Sequence, residues 1–287
     1  MELKNVVDAL SNIQGSELHH YGIDGVPFPS VPELREIVEL CRAVLFPGYY
    51  GKSVVDGGVQ YHIGVGVERI YEKLHKQIAA GLAFSMPEDY QQRSNLREAA
   101  CQKARTFVEQ LPALRDLLQT DVVAMYRNDP AAHNLGEVIL CYPGMRAITN
   151  YRIGHALEVL EVPLIPRMIT ELAHSETGID IHPGATIGHS FAIDHGTGVV
   201  IGATAILGHN VTLYQGVTLG AKNFPQEEDG TLVKGIARHP ILGDNVVVYA
   251  NATILGRIQI GDGSTIGGNI WLTHDVPAGT KLFYKQS

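Results

Sequence analysis

The stretch GIDIHPGATIGHSFAIDHGTGVVIGATAILGHNVTLYQGVTLG, from Gly178 to Gly220, decides the fold. Aliphatic residues stand six apart at Ile181, Ile187 and Ile193 and, after a shift of two, at Ile201, Leu207, Leu213 and Leu219. The register resumes at Leu242, Val248, Ile254, Ile260, Ile266 and Leu272, which makes thirteen positions on one hexad. Seven of them are followed directly by glycine, as in Ile187-Gly188, Ile201-Gly202 and Ile260-Gly261. An amphipathic helix needs apolar residues every 3.6 positions, and glycine costs a helix interior roughly 1 kcal/mol per residue. A solenoid of short strands meets both conditions: the aliphatic residue points inward and the small residue after it permits the corner.

This hexapeptide pattern is that of the left-handed parallel β-helix, with three hexads to each triangular coil. Upstream the period is helical. Leu34, Ile37, Val38, Cys41 and Leu45 recur at three- and four-residue spacing, as do Ile70, Leu74, Ile78 and Leu82. A third helical run extends from Asp89 to about Tyr126, with Pro112 predicting a bend or a break. The Gly, Pro and Tyr clusters at Pro47–Gly51 and Gly57-Gly58 read as loops. The period changes between about Pro163 and Ile179. The expected fold class is therefore α+β in two domains. An all-helical N-terminal domain over residues 1–165 precedes a left-handed β-helix over 166–287, and an excursion loop interrupts the latter at 221–240.

Composition agrees with a globular chain: 45% of the 287 residues are hydrophobic and 18% are charged. A formal charge of −8 gives no global attraction for nucleic acid or an anionic membrane. No run of about 18 apolar residues occurs, so no transmembrane helix is expected. Cys41, Cys101 and Cys141 are odd in number and far apart, with no CxxC pair. They offer neither a disulfide framework nor a zinc site and suit a reducing cytosol. MELKNVVDAL lacks the apolar core of a signal peptide, so a cytoplasmic location is expected.

Chemistry is expected where the repeat breaks. One break is a two-residue insertion at Ile193-Asp194-His195-Gly196-Thr197-Gly198. The other is AKNFPQEEDGTLVKGIARHP, from Ala221 to Pro240, which cannot lie in the coil and must protrude. Each carries a histidine beside a charged residue, in Asp194-His195 and Arg238-His239.

At these breaks the chain resembles the serine acetyltransferases of bacteria and plants, members of the hexapeptide-repeat acyltransferase superfamily. DIHPGATIGH, IDHGTG, QGVTLG and RHP carry the likeness, with Arg127-Asn128-Asp129-Pro130-Ala131 and Tyr151-Arg152-Ile153-Gly154-His155 upstream. It covers residues from about 120 to 270. It implies a serine O-acetyltransferase that moves acetyl from acetyl-CoA to the L-serine hydroxyl, the first step from serine to cysteine.

A serine hydroxyl needs a positioned base to attack a thioester, and histidine titrates near the working pH. The resemblance puts that base at His195 and its partner carboxylate at Asp180. The two are fifteen residues apart, about one coil, so they come within reach on adjacent turns. By the same resemblance Asp129 and Asp194 hold the substrate ammonium and Arg238 its carboxylate, while His239 lies against the reacting hydroxyl. Gly220, Ala221, Ala250 and Gly268 match the places where acetyl-CoA lies along the solenoid, and no metal is required. Lys222, Lys234, Arg257, Lys281 and Lys285 are available for its phosphates.

Other readings compete. His182, His189, His209 and His274 raise a zinc hydrolyase of the γ-carbonic anhydrase type, but they fall at different phases of the hexad and do not converge. A non-catalytic scaffold, or an acetyltransferase for homoserine or a sugar, are further alternatives. The family also implies a homotrimer or hexamer with sites between neighbouring subunits, and feedback inhibition by L-cysteine. Many members insert a terminal isoleucine into O-acetylserine sulfhydrylase. This chain ends in Ser287, so that complex is not expected by the usual route.

Overall fold

A computed structural model describes residues 3–12, 27–51, 58–85, 95–223 and 225–283. Gly57, Asp89, Lys285 and Ser287, which entered the sequence reading, lie outside the described residues. Helices α1 (Leu3–Ser11), α2 (Val31–Leu45), α3 (Val59–Ser85), α4 (Leu96–Asn128), α5 (Leu135–Cys141), α6 (Pro143–Val159) and α7 (Ile165–Thr177) precede every strand. Local signals set several ends. The Ser30 hydroxyl accepts from the Glu33 amide at 3.4 Å ahead of α2, and Asn134 accepts from Glu137 at 3.0 Å ahead of α5. Gly178, at φ 71°, closes α7 in the left-handed conformation. Helix α7 fills the stretch in which the period changes.

The apolar stripes read from sequence form the helical core: Leu34, Ile37, Cys41, Ile70, Leu74, Ile78, Ala100, Ala104 and Phe107 are buried. Pro112 does not break α4, which runs through it unbroken. Phe107, Leu111, Leu114 and Leu118 are buried around the missing hydrogen bond, and their packing opposes its cost.

The chain then winds through about five coils of parallel strands. The first holds β1 (Asp180–Ile181), β2 (Thr186–Ile187) and β3 (Ala192–Asp194); the second holds β4 (Val200–Ile201), β5 (Ile206–Leu207) and β6 (Thr212–Tyr214). Next come β7 (Thr218–Gly220), β8 (Ile241–Leu242) and β9 (Val247–Val248), then β10 (Thr253–Leu255), β11 (Gln259–Ile260) and β12 (Thr265–Ile266). The last coil has β13 (Trp271–Leu272) and β14 (Lys281–Leu282). Three sheets form the faces of the left-handed prism: β1-β4-β7-β10-β13, β2-β5-β8-β11 and β3-β6-β9-β12-β14.

All thirteen hexad positions are buried. Those two residues earlier are mostly buried as well, including Ala185, Phe191, Val211, Val246 and Ser264. Ser264 is tolerated inside because its hydroxyl donates to the Pro277 carbonyl at 3.0 Å. Left-handed corner positions hold Ser190, Asn210, Asn245, Asn251 and Asn269, and Asn210 donates to the Asn245 side chain one coil above at 2.8 Å.

The first coil has no coil beneath it, so half of its backbone groups would be left open. Helices α4 and α6 close them. Tyr151 donates to Ala185 O at 2.7 Å, His155 Nδ1–H to Pro183 O at 2.7 Å, and Arg152 to Ile187 O and Gly188 O at 2.6 Å each. Thr120 and Asp121 accept the amides of Ser190 and Phe191 at 2.9 Å each. Asp121 and Arg152 also pair with each other at 3.1 Å, both buried.

Removing one partner of this pair leaves a buried charge and several open backbone groups. Arg152→Met is expected to lower unfolding stability by about 3–5 kcal/mol, read from a denaturant midpoint at unchanged slope. A loss below about 1 kcal/mol would mean that the cap is carried elsewhere.

Candidate active site

The two-residue insertion sits on the corner between β3 and β4. Its turn is closed by Val199 N–H donating to Gly196 O at 2.9 Å and tied to the end of α7 by Gly198 N–H donating to Gly178 O at 2.8 Å, and it holds His195 at φ 54°. A left-handed non-glycine residue costs on the order of 1–2 kcal/mol, and such strain gathers at functional sites. The His195 side chain is 75% exposed, and its Nε2 lies 3.8 Å from Asp194 Oδ1.

Beside it, Asp194 and Asp129 line one narrow recess with Asn128, Tyr142 and Thr212. Asp129 caps the C-terminus of α4, and Asn128, one residue earlier, anchors that end to β6 by donating to Thr212 at 2.9 Å. The Asp129 carboxylate accepts from the Tyr142 hydroxyl and from the Ala131 amide at 2.7 Å. These donors hold its carboxyl below the usual range, with the His195 charge adding to the effect, while the same bond pushes the Tyr142 phenol up to about 12. Asp129 thus both ends α4 and lines the recess. Tyr142 carried no signal in the sequence, because its reach to Asp129 depends on how α5 and α6 fold back.

A cleft of about 440 Å³ climbs the same corner from His195. Its lining rises one coil at a time: Asp194 and His195, Tyr214 and Gln215, Tyr249 and Ala250, Gly268 and Asn269, then Phe283. Strands in register are about 4.8 Å apart, so four steps give a channel of about 19 Å. Tyr214 and Tyr249 stack along it with ring centroids 5.0 Å apart.

The remaining predicted residues lie elsewhere in the chain. The Asp180 carboxylate meets Arg167 at 3.4 Å rather than His195. That placement follows from the fold, since Asp180 lies on an outer face beside α7, whose Arg167 reaches it. Arg238 and His239 return from the excursion just before β8, on the corner between the β7 and β8 faces, and Gly220 and Ala221 leave from that corner. Within one chain Asp129, Asp194, His195, Ala250 and Gly268 are brought together. Arg238, His239, Gly220 and Ala221 belong to a different edge of the prism. The hexad register carried this signal, because Ile193 ends the third hexad of its coil whereas Leu242 opens the second of its own.

Of the remaining histidines, His189 and His209 stack at 3.9 Å on the third corner. His182 lies among the charges around His239. Glu171, His174 and Asp180 form a close group of potential ligands, with Arg167 paired to both acids. Among the candidate phosphate cations, Arg257 is spent on the carbonyls of Thr204 and His239, at 2.5 and 3.0 Å. No helix among the described residues is long and apolar enough to cross a membrane.

The family profile described as serine acetyltransferase, N-terminal, matches residues 70–150, and that of the bacterial transferase hexapeptide matches 239–269. A plasmid-encoded serine acetyltransferase of Synechococcus elongatus is 46% identical over 290 residues, covering 99% of this chain and 91% of its own. Serine acetyltransferase 1 of Entamoeba histolytica, crystallised with L-cysteine, superposes with a TM-score of 0.76 at 36% identity, covering 92% of this chain and 91% of that one. The soybean serine acetyltransferase complexed with serine gives 0.55 at 27% identity, covering 87% and 95%.

Gly144, at the start of α6, packs against Ile193 and Met125, two residues that line the recess. A Cβ there would overlap the Ile193 carbonyl oxygen and stand 2.7 Å from Met125 Cε. Gly144→Ala is expected to cost about 1–3 kcal/mol by overpacking, measured by denaturation. An unchanged midpoint would mean that α6 does not bear on the strand leading to Asp194 and His195.

Proposed function

The chain belongs to the serine acetyltransferase family, and we propose that it moves the acetyl group of acetyl-CoA to the L-serine hydroxyl at the cleft headed by His195. It is an acyltransferase of cysteine biosynthesis. The observation that carries the siting is the contiguity of Asp129, Asp194 and His195 at the foot of a channel long enough for an extended thioester arm.

In this reading His195 takes the hydroxyl proton as the serine oxygen bonds to the acetyl carbon. The carbon–sulfur bond then breaks, and the proton passes to the departing CoA thiolate. Transfer is direct, without a covalent enzyme intermediate. Asp129 and Asp194 face the substrate ammonium, as two acids in one recess suit. Ala250 and Gly268 leave room along the corner for the pantetheine arm. Family likeness also assigns Gly220 and Ala221 to acetyl-CoA, Arg238 to the serine carboxylate and Asp180 to the partnering of His195. For the last role Asp180 has to leave Arg167.

Because the His195 and His239 corners lie on different edges of one prism, we propose that the site is completed between copies in a trimer or hexamer. The corner bearing Arg238 and His239 of one copy would then face the His195 corner of the next. L-cysteine, an isostere of serine, is proposed to compete at the same recess, in keeping with its presence in the Entamoeba crystal. Serine kinetics unchanged by excess cysteine would refute that regulation. A cytoplasmic location suits three unpaired cysteines.

CoA release with L-serine, and L-homoserine as control, tests the reaction. His195→Ala is expected to lose about 10²–10⁴-fold in kcat while keeping its elution volume. Wild-type activity in that variant would remove His195 as the base.

Mixing tests the shared site. His195→Ala and His239→Ala subunits, each slower than wild type alone, are expected to turn over faster when unfolded and refolded together than either does by itself. No gain in the mixture, with wild type refolding to activity under the same conditions, would place both histidines in one subunit's site.

A further inference from the structure

The excursion ends on a clamp. Thr204, in the turn between β4 and β5, accepts the amides of Arg238 and His239 on its hydroxyl oxygen, at 2.9 and 3.2 Å. With both acceptor positions filled, its hydroxyl hydrogen is left to donate, and His239 Nδ1 lies 2.8 Å away. The Thr204 amide also points at Nδ1, at 3.1 Å. A backbone N–H can only donate, so Nδ1 is an acceptor twice over and carries no proton. The proton of the neutral ring is therefore on Nε2.

The surroundings hold the ring in that state. His239 is 7% exposed, and its imidazole lies on Gly202, where a Cβ would overlap the ring. Arg257 ties the Thr204 and His239 carbonyls together from the coil above. Burial, with the charges of Arg238, His182 and Arg257 around it, takes the His239 pKa down to about 4. The ring stays neutral throughout the physiological range.

We infer that Thr204 is a positioning residue that fixes His239 as its Nε2–H tautomer, so that His239 serves the reaction as a hydrogen-bond donor and never as a base. This rests on the reading that His239 faces the acceptor substrate. It divides two histidines of one sequence by environment. His195, strained and open to solvent, is left to take the proton, whereas His239 offers a fixed N–H to an oxygen at the reacting centre. The family resemblance makes His195 the base and sets His239 against the reacting hydroxyl, with no chemical role named for it there.

Glutamine supplies a non-titrating N–H near the place of Nε2. His239→Gln is expected to keep kcat within about tenfold of wild type, whereas His239→Ala loses about 10–100-fold, the worth of a hydrogen bond to developing charge. At position 195, Gln is expected to be as inactive as Ala. Thr204→Ser is expected to retain activity and Thr204→Val to lose about tenfold in kcat with little change in the KM for acetyl-CoA. Equal loss in His239→Gln and His239→Ala would overturn the donor role. Full activity in His239→Ala would instead remove the underlying reading that this residue faces substrate.

The tautomer is read without turnover, on the full-length protein labelled with ¹⁵N-histidine and assigned by the resonance missing in His239→Gln. Nδ1 at the unprotonated shift and Nε2 protonated, unchanged between pH 8 and pH 5.5, is the expected result given a pKa of about 4. A ring that titrates in the ordinary histidine range, or carries its proton on Nδ1, would sink the inference.

Discussion

A stack of parallel strands has two open ends, and the buried pair of Asp121 and Arg152 closes the one on which this molecule is built. Each residue does two tasks. The carboxylate accepts the Phe191 amide and the guanidinium donates to the Ile187 and Gly188 carbonyls, while each neutralises the other out of contact with water. A buried ion pair is by itself weak evidence for stability. This one differs in that its remaining hydrogen-bonding capacity meets backbone groups that otherwise have no partner. Tyr151 and His155 extend the same seal along α6. The placement of β3, and with it Asp194 and His195, follows from how this end is held.

The corner that bears His195 is made by departures from regularity that the rest of the prism can absorb. Two extra residues between β3 and β4 lift His195 out of the coil into a left-handed conformation without shifting any later strand. The larger excursion behaves alike: β5 pairs with β8 across it as regularly as β8 pairs with β11 without it. Parallel pairing resumes because the inward aliphatic residues on both sides fit the same slot. The scaffold therefore tolerates long insertions at its corners, where loop closure grows only slowly in cost with length.

The hexad made the solenoid legible because a strict period leaves one geometric solution, and each of its aliphatic residues is buried as that solution requires. Motif and insertion together pointed to His195, Asp194 and Asp129, which the fold brings side by side. Tyr142, the Thr204 clamp and the capping side chains were not, since each acts on a residue distant in sequence through folding that no local pattern records. Asp180 shows the opposite case. Spacing placed it within reach of His195, but spacing along the chain fixes the coil and not the direction of a side chain, and Arg167 on α7 claims it. The second inward position escaped notice, because alanines, Pro240 and Ser264 interrupt its aliphatic run.

The seal on the first coil also has a direction in time. Synthesis delivers the N-terminal residues first, at about 5–20 residues per second. Helices α4 and α6 thus leave the ribosome before any strand exists, and can present Thr120, Asp121, Tyr151, Arg152 and His155 as a finished template. The first coil closes on that template, and its upper edge then serves the second coil as the helices served the first. A protein whose strands all pair with neighbours one coil away would otherwise have to find its register from nothing. Here a helical surface offers the first coil its register, and each coil offers one to the next.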